Sequence, residues 1–99
     1  MLTSIANVET EFGQPYLQRL CRHFAHKIPA SFDGPSGTIE FPFGTCQIEV
    51  DNQCMRIQVD VAEAENLDRA ETVIADHLIR MANRDDPVVA WEREAQNTP

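Results

Sequence analysis

The chain lacks the residues and runs that would place it in several common classes. Three cysteines (Cys21, Cys46 and Cys54) cannot all pair within one chain and form no C-x-x-C. Three free thiols are the expectation, and a disulfide scaffold is disfavoured. The four glycines are scattered, so neither a Walker loop nor a G-x-G-x-x-G fingerprint can be built. Gly34-Pro35-Ser36-Gly37 reads as a turn rather than a phosphate cradle. H-E-x-x-H, G-x-S-x-G and EF-hand loops are missing as well. No apolar run approaches the roughly 20 residues that cross a bilayer. Met1 to Glu11 mixes polar and acidic residues without a signal-peptide pattern, and the expected compartment is the cytosol. Positive charge is also scarce: 8 basic residues against 16 acidic give a formal net charge of -8. A field of that sign repels phosphate and anionic lipid, which disfavours nucleic acid and membranes as partners.

With 99 residues, 42% hydrophobic and 24% charged, the composition is that of a globular protein with one modest core. One α+β domain over residues 1–94 is expected, followed by a frayed C-terminal tail, Ala95 to Pro99. Pro15 suits a first helical turn. After it Leu17, Leu20, Cys21, Phe24 and Ile28 fall on one helix face, until Pro29 stops the run. The middle of the chain alternates with period two, as half-buried strands do. Ile39, Phe41 and Phe43 share one parity and Cys46, Ile48 and Val50 the other, with a turn or bulge at Gly44-Thr45. Asp51-Asn52-Gln53 reads as a hairpin connection before Met55, Ile57, Val59 and Val61, and another short hairpin surrounds Asp33 to Gly37. Asn66 is the expected N-cap of a second helix with a stripe of Leu67, Ala70, Val73, Ile74, His77, Leu78 and Met81. That helix ends at Asp85-Asp86-Pro87, and Val88 to Trp91 makes a last strand. With an opening strand near Thr3 to Glu9, the order is β-α-β-β-β-β-α-β. This is a two-layer sandwich, a mostly antiparallel sheet with two helices packed on one face.

Two constellations carry potential chemistry. On the helical wheel Arg19, Arg22, His23 and His26 point away from the first helix's apolar stripe, with Lys27 at its edge. No acidic residue lies between Gly13 and Phe32. A basic, His-bearing face on an acidic protein suits an anionic small molecule or an acidic protein surface. His23 and His26 also form a two-imidazole pair, an incomplete metal site that needs a third ligand. The second set points inward: Cys21, Cys46 and His77 would suit zinc or another soft metal, against the plainer reading that they fill core volume. By the same wheel the two sets lie on opposite sides of the helix and do not form one site. Cys54 has outward parity and is the thiol expected to react first. Tyr16 and Trp91 are expected to pack in the core or at its rim, and clustered acids such as Asp85-Asp86 to be solvated.

The wording of two stretches goes further. Leu20-Cys21-Arg22-His23-Phe24-Ala25-His26-Lys27-Ile28-Pro29 and Phe41-Pro42-Phe43-Gly44-Thr45-Cys46 resemble the bacterial family labelled domain of unknown function 2218. His77-Leu78-Ile79-Arg80, ahead of a short strand holding Val89 and Trp91, resembles that family's C-terminal half. The resemblance covers about residues 2 to 94. It points at Cys21, His23, His26, Cys46, His77 and Trp91, and it implies an association with siderophore-interacting proteins and iron uptake, without a mechanism. Arg80-Met81-Ala82 departs from the family's usual Arg-Phe-Ala, a change that keeps core volume but removes an aromatic. The leading expectation is a non-catalytic cytosolic binding module, serving iron or siderophore handling through Arg19, Arg22, His23, His26 and Lys27, with no obligatory cofactor. One rival is a metal-dependent or thiol enzyme using His23, His26 and Cys46, which requires a different helix register. Another is a structural subunit of an oligomer, whose mark would be a large exposed apolar patch.

Overall fold

The expected element order is the observed one. The computed structural model describes residues 2–94 as β1 (Leu2–Glu9), α1 (Gly13–Phe24), β2 (Ala30–Asp33), β3 (Ser36–Phe41), β4 (Gly44–Val50), β5 (Cys54–Val61), α2 (Ala64–Met81) and β6 (Trp91–Arg93). The expected tail, Ala95 to Pro99, lies outside the described residues. The strands form one sheet in the order β2-β3-β4-β5-β1-β6, with every neighbouring pair antiparallel. Period-two alternation sorts the side chains. Ala6, Val8, Ile39, Cys46, Ile48, Met55, Ile57, Val59 and Val61 are buried under the helices, while Asn7, Glu9, Gln47, Glu49 and Arg56 are exposed on the open face. Tyr16, Leu17, Leu20, Cys21 and Phe24 of α1 and Leu67, Ala70, Ile74 and Leu78 of α2 close the same core. That is a two-layer α+β sandwich.

Local chemistry sets the connections. The β2–β3 turn holds Gly34 at φ +58, a left-handed conformation that glycine adopts without a Cβ penalty. Asp51 Oδ1 accepts from the backbone N–H of Gln53 and Cys54, both at 2.8 Å, an Asx turn that fixes the β4–β5 hairpin. A Cβ on Gly44 would collide with the Asp60 carbonyl of β5, so only glycine lets β4 start there.

Five boundaries differ from those read in the sequence. The parity switch is a turn at Pro42-Phe43, with Phe41 already paired to Gly44. Helix α1 stops at Phe24 rather than Ile28. Residues 25–28 continue as tight turns, Lys27 N–H bonding Phe24 O at 3.0 Å, because Pro29 bars its predecessor from helical backbone. Helix α2 starts earlier, with Glu63 at the N-cap position and Asn66 inside, and it ends at Met81, where Ala82 turns extended, rather than at Asp85-Asp86-Pro87. The last strand is Trp91–Arg93 rather than Val88–Trp91, since only these residues reach Ser4, Ile5 and Ala6 of β1.

Two polar networks inside this frame were not foreseen. Glu71 of α2 is buried; it accepts from Ser4 Oγ at 2.6 Å and from Arg93 Nη2 at 2.9 Å and Nε at 3.0 Å, joining α2, β1 and β6. At the other corner the buried Tyr16 hydroxyl donates to Asp85 Oδ1 at 2.6 Å and accepts from the Arg84 and Asp85 backbone N–H. Thr10 Oγ1 donates to Asp85 Oδ2 at 2.8 Å. Asp85, expected to be a solvated helix-end charge, is a half-buried link between α1, the β1–α1 connection and the segment after α2.

Candidate functional site

The C-terminal end of α1 gathers the chain's chemistry. Because α1 ends at Phe24 and the chain turns, His23, Phe24, His26 and Lys27 line one side of a cleft of about 320 Å³, and His77 of α2 lines the other. All three histidines of the sequence therefore meet at one place. The His23 and His77 rings lie 4.9 Å apart, and His77 lies 4.8 Å from Phe24. An aromatic wall continues away from them: Phe24 meets Phe41 edge-on at 5.3 Å, Phe41 stacks on Phe43 at 5.1 Å, and the Arg69 guanidinium covers Phe43 at 4.9 Å.

Hydrogen bonding and burial prepare the imidazoles. His77 Nδ1 stands 2.7 Å from Val73 O. A carbonyl can only accept, so Nδ1 carries a proton and Nε2 is the ring nitrogen left to meet a ligand. Some loss of hydration against its neighbours pushes the exposed His23 imidazole below its ordinary 6.5, helped by His77, His26 and Lys27. At neutral pH His23 is a neutral ring beside another ring, able to accept a hydrogen bond or bind a metal ion.

The basic residues divide. Arg19 donates from Nη1 to Met81 O at 3.0 Å and so caps the end of α2, a structural task at a helix terminus that favours cations. Arg22 lies over the Phe32 ring at 5.7 Å. Arg22, His26 and Lys27 are exposed, and among the described residues the ion pairs all belong to Arg93.

The structure does not gather the expected metal sets. Among the described residues no group of three or more His, Cys, Asp or Glu stands in position to hold an ion. Cys46 is fully buried under the helices, and burial, with Cys21 and Asp60 nearby, holds its thiol protonated. The set His23, His26 and Cys46 is therefore not assembled, since the thiol faces the core and the two imidazoles face solvent. Nor is Cys21, Cys46 and His77. His77 turns toward the end of α1, whereas Cys21 stays buried, its Sγ 3.6 Å from Ser31 O and its thiol pushed up by burial. The two constellations placed on opposite sides of α1 thus trade a member, as His77 joins the outer histidines. Its place in the α2 stripe signalled burial, but only the crossing of the two helices decides which neighbour it meets.

A larger hollow of about 610 Å³ lies away from this cleft, bounded by Asn7, Glu9, Thr10, Glu11, Gln53, Cys54 and Asp85. It is shallow and acidic, and its Asp85 is already bonded to Tyr16 and Thr10, which leaves Cys54 as its one nucleophile. Trp91 is half-buried on β6 beside Ala6, with no polar contact to the cleft.

Among the described residues no helix is long and apolar enough to cross a membrane. No curated protein matches the chain. A solved structure from Pseudomonas aeruginosa, the NMR structure of PA4090, is similar: it is 30% identical, with 93% of this chain and 96% of that chain covered at a TM-score of 0.78. Residues 5–92 match the family described as "Uncharacterized protein conserved in bacteria (DUF2218)". The chain belongs to that family of uncharacterised bacterial proteins.

Proposed function

We propose that the protein is a non-catalytic binding module of the cytosol whose cleft at the end of α1 receives an anionic ligand or an acidic patch of a partner protein. One observation carries this reading. His26 and Lys27 are exposed at an apolar-walled cleft, Arg22 is exposed beside Phe32, and no described carboxylate pairs with any of the three in a chain of net charge -8. Unpaired cations at a concave, partly apolar site favour an anion, which gains Coulomb attraction without first breaking an ion pair. Neutral His23 would donate or accept a hydrogen bond there. An anionic iron chelate, the ligand class implied by the siderophore association, has the required charge and bulk. Of the expected binding set Arg19 is engaged at Met81 O, and His77 lines the cleft beside His23, His26 and Lys27.

The test is an NMR titration of tag-free protein with inorganic pyrophosphate in the presence of EDTA. Saturable shifts are expected at the amides of residues 22–27 and at the His77 ring. The double variant His26→Glu/Lys27→Glu should weaken them at least about tenfold, or about 1.4 kcal/mol, and added salt should weaken them further. Shifts that do not saturate, or that survive the charge reversal, overturn the reading.

A further inference from the structure

We propose that His23 and His77 form a two-imidazole binding site for a divalent transition-metal ion of the Zn²⁺, Ni²⁺ or Cu²⁺ class, one ligand from the end of each helix. The ring separation lies in the range that a shared ion would give. An ion bonded at about 2.0–2.1 Å to one nitrogen of each ring lies roughly 3.2 Å from each ring centre. Two rings on one ion, at square-planar or tetrahedral angles, then stand roughly 4.5–5.2 Å apart. The His23 and His77 centroids are 4.9 Å apart. The outer bonding fits as well. His77 donates Nδ1–H to Val73 O at 2.7 Å, the backbone-carbonyl contact that commonly fixes the tautomer of a ligating histidine and leaves Nε2 to the ion.

The surroundings define what kind of site this is. His26 and Lys27 line the same cleft, but no third His, Cys, Asp or Glu completes a ligand set among the described residues. The pair is therefore an open site, with its remaining coordination positions facing a cleft of about 320 Å³. Imidazole selects zinc, copper or nickel over the hard oxygen-seeking ions Mg²⁺ and Ca²⁺. The nearby cations disfavour a bare dication and favour one that carries an anion on its open positions. The inference does not need the anion reading above, because the two imidazoles would hold the ion with water in those positions.

Calorimetric titration of tag-free, metal-stripped protein with ZnCl₂ and with NiCl₂, in a non-coordinating buffer at pH 7.5 without added anion, tests the site. One saturable site per chain is expected, weakened at least about tenfold in His23→Ala and in His77→Ala, and lost at pH 5, where protons compete for the nitrogens. If an alanine variant disturbs folding, the wild type suffices: ¹⁵N spectra of its imidazoles should show metal at His77 Nε2 with Nδ1 still protonated. No saturable binding by the wild type overturns the proposal, as does an unmetallated His77. Pyrophosphate binding in EDTA is read separately, so either proposal can fail while the other stands.

Discussion

The two ends of α1 hold polar side chains in opposite states. At the N-terminal end the Tyr16 and Thr10 hydroxyls both donate to the Asp85 carboxylate and accept from three backbone N–H groups, so their hydrogen-bonding capacity is used inside the protein. At the C-terminal end His23, His26 and Lys27 face a cleft, and His77 keeps a free ring nitrogen. A buried polar group with its partners in place holds a fold together, because breaking the set strands a donor or acceptor away from water. A polar group presented to a concavity without a partner contributes little to folding and can meet a ligand. The same helix therefore serves architecture at one end and, on the function proposed above, recognition at the other.

Tyr16→Phe should have the largest effect, because it strands Asp85 and two backbone donors. A loss of about 1–3 kcal/mol would lower Tm by roughly 5–20 °C in a domain of this size, measured by thermal unfolding. A variant as stable as wild type would break the contrast between the two ends. Glu71→Gln comes next, at about 1–2 kcal/mol near pH 7. Arg93 and Ser4 hold the Glu71 carboxyl below its ordinary 4.5 despite burial. A depressed carboxylate pKa gives stability that is present above pH 4.5 and lost as pH falls through the folded-state value. Denaturant unfolding should show that acid loss in wild type and less of it in Glu71→Gln.

His23 should act in a separate and milder window. Its folded-state pKa lies below 6.5, so the unfolded chain binds the proton first, and stability declines as pH falls below 6.5. In His23→Gln that decline should shrink while the lower step assigned to Glu71 remains. His77→Ala should change stability by less than about 1 kcal/mol at pH 7, as expected for a half-buried side chain at a cleft. A loss as large as that of Tyr16→Phe would make the cleft architectural. The smallest effect concerns rates alone. With a thiol reagent under native conditions half-buried Cys54 should react first, then Cys21, and Cys46 only on unfolding.

Glu71 and His77 show how far the residues could be read in advance. Glu71 sits four residues after Leu67 and three before Ile74, on the apolar stripe of α2. A carboxylate at that spacing is a legible signal of a buried, paired charge. Its partners Ser4 and Arg93 were not legible, because they come from strands 67 and 22 residues away. Asp85, in an acidic run after a helix, carried no signal at all; Tyr16 reaches it across 69 residues.

By itself the sequence determined the element order, the antiparallel sheet, the buried face of each strand and helix, and a basic end on α1. These follow from local periodicity and turn chemistry, which neighbouring residues decide among themselves. It also located two histidines of the cleft, since His23 and His26 share one stretch of chain. Tertiary structure alone decided that His77 joins them, that Cys46 does not, and that Arg19 caps α2 at Met81. Those outcomes depend on the angle and offset at which two helices cross on the sheet. Packing of the whole core sets both, and no local pattern encodes them.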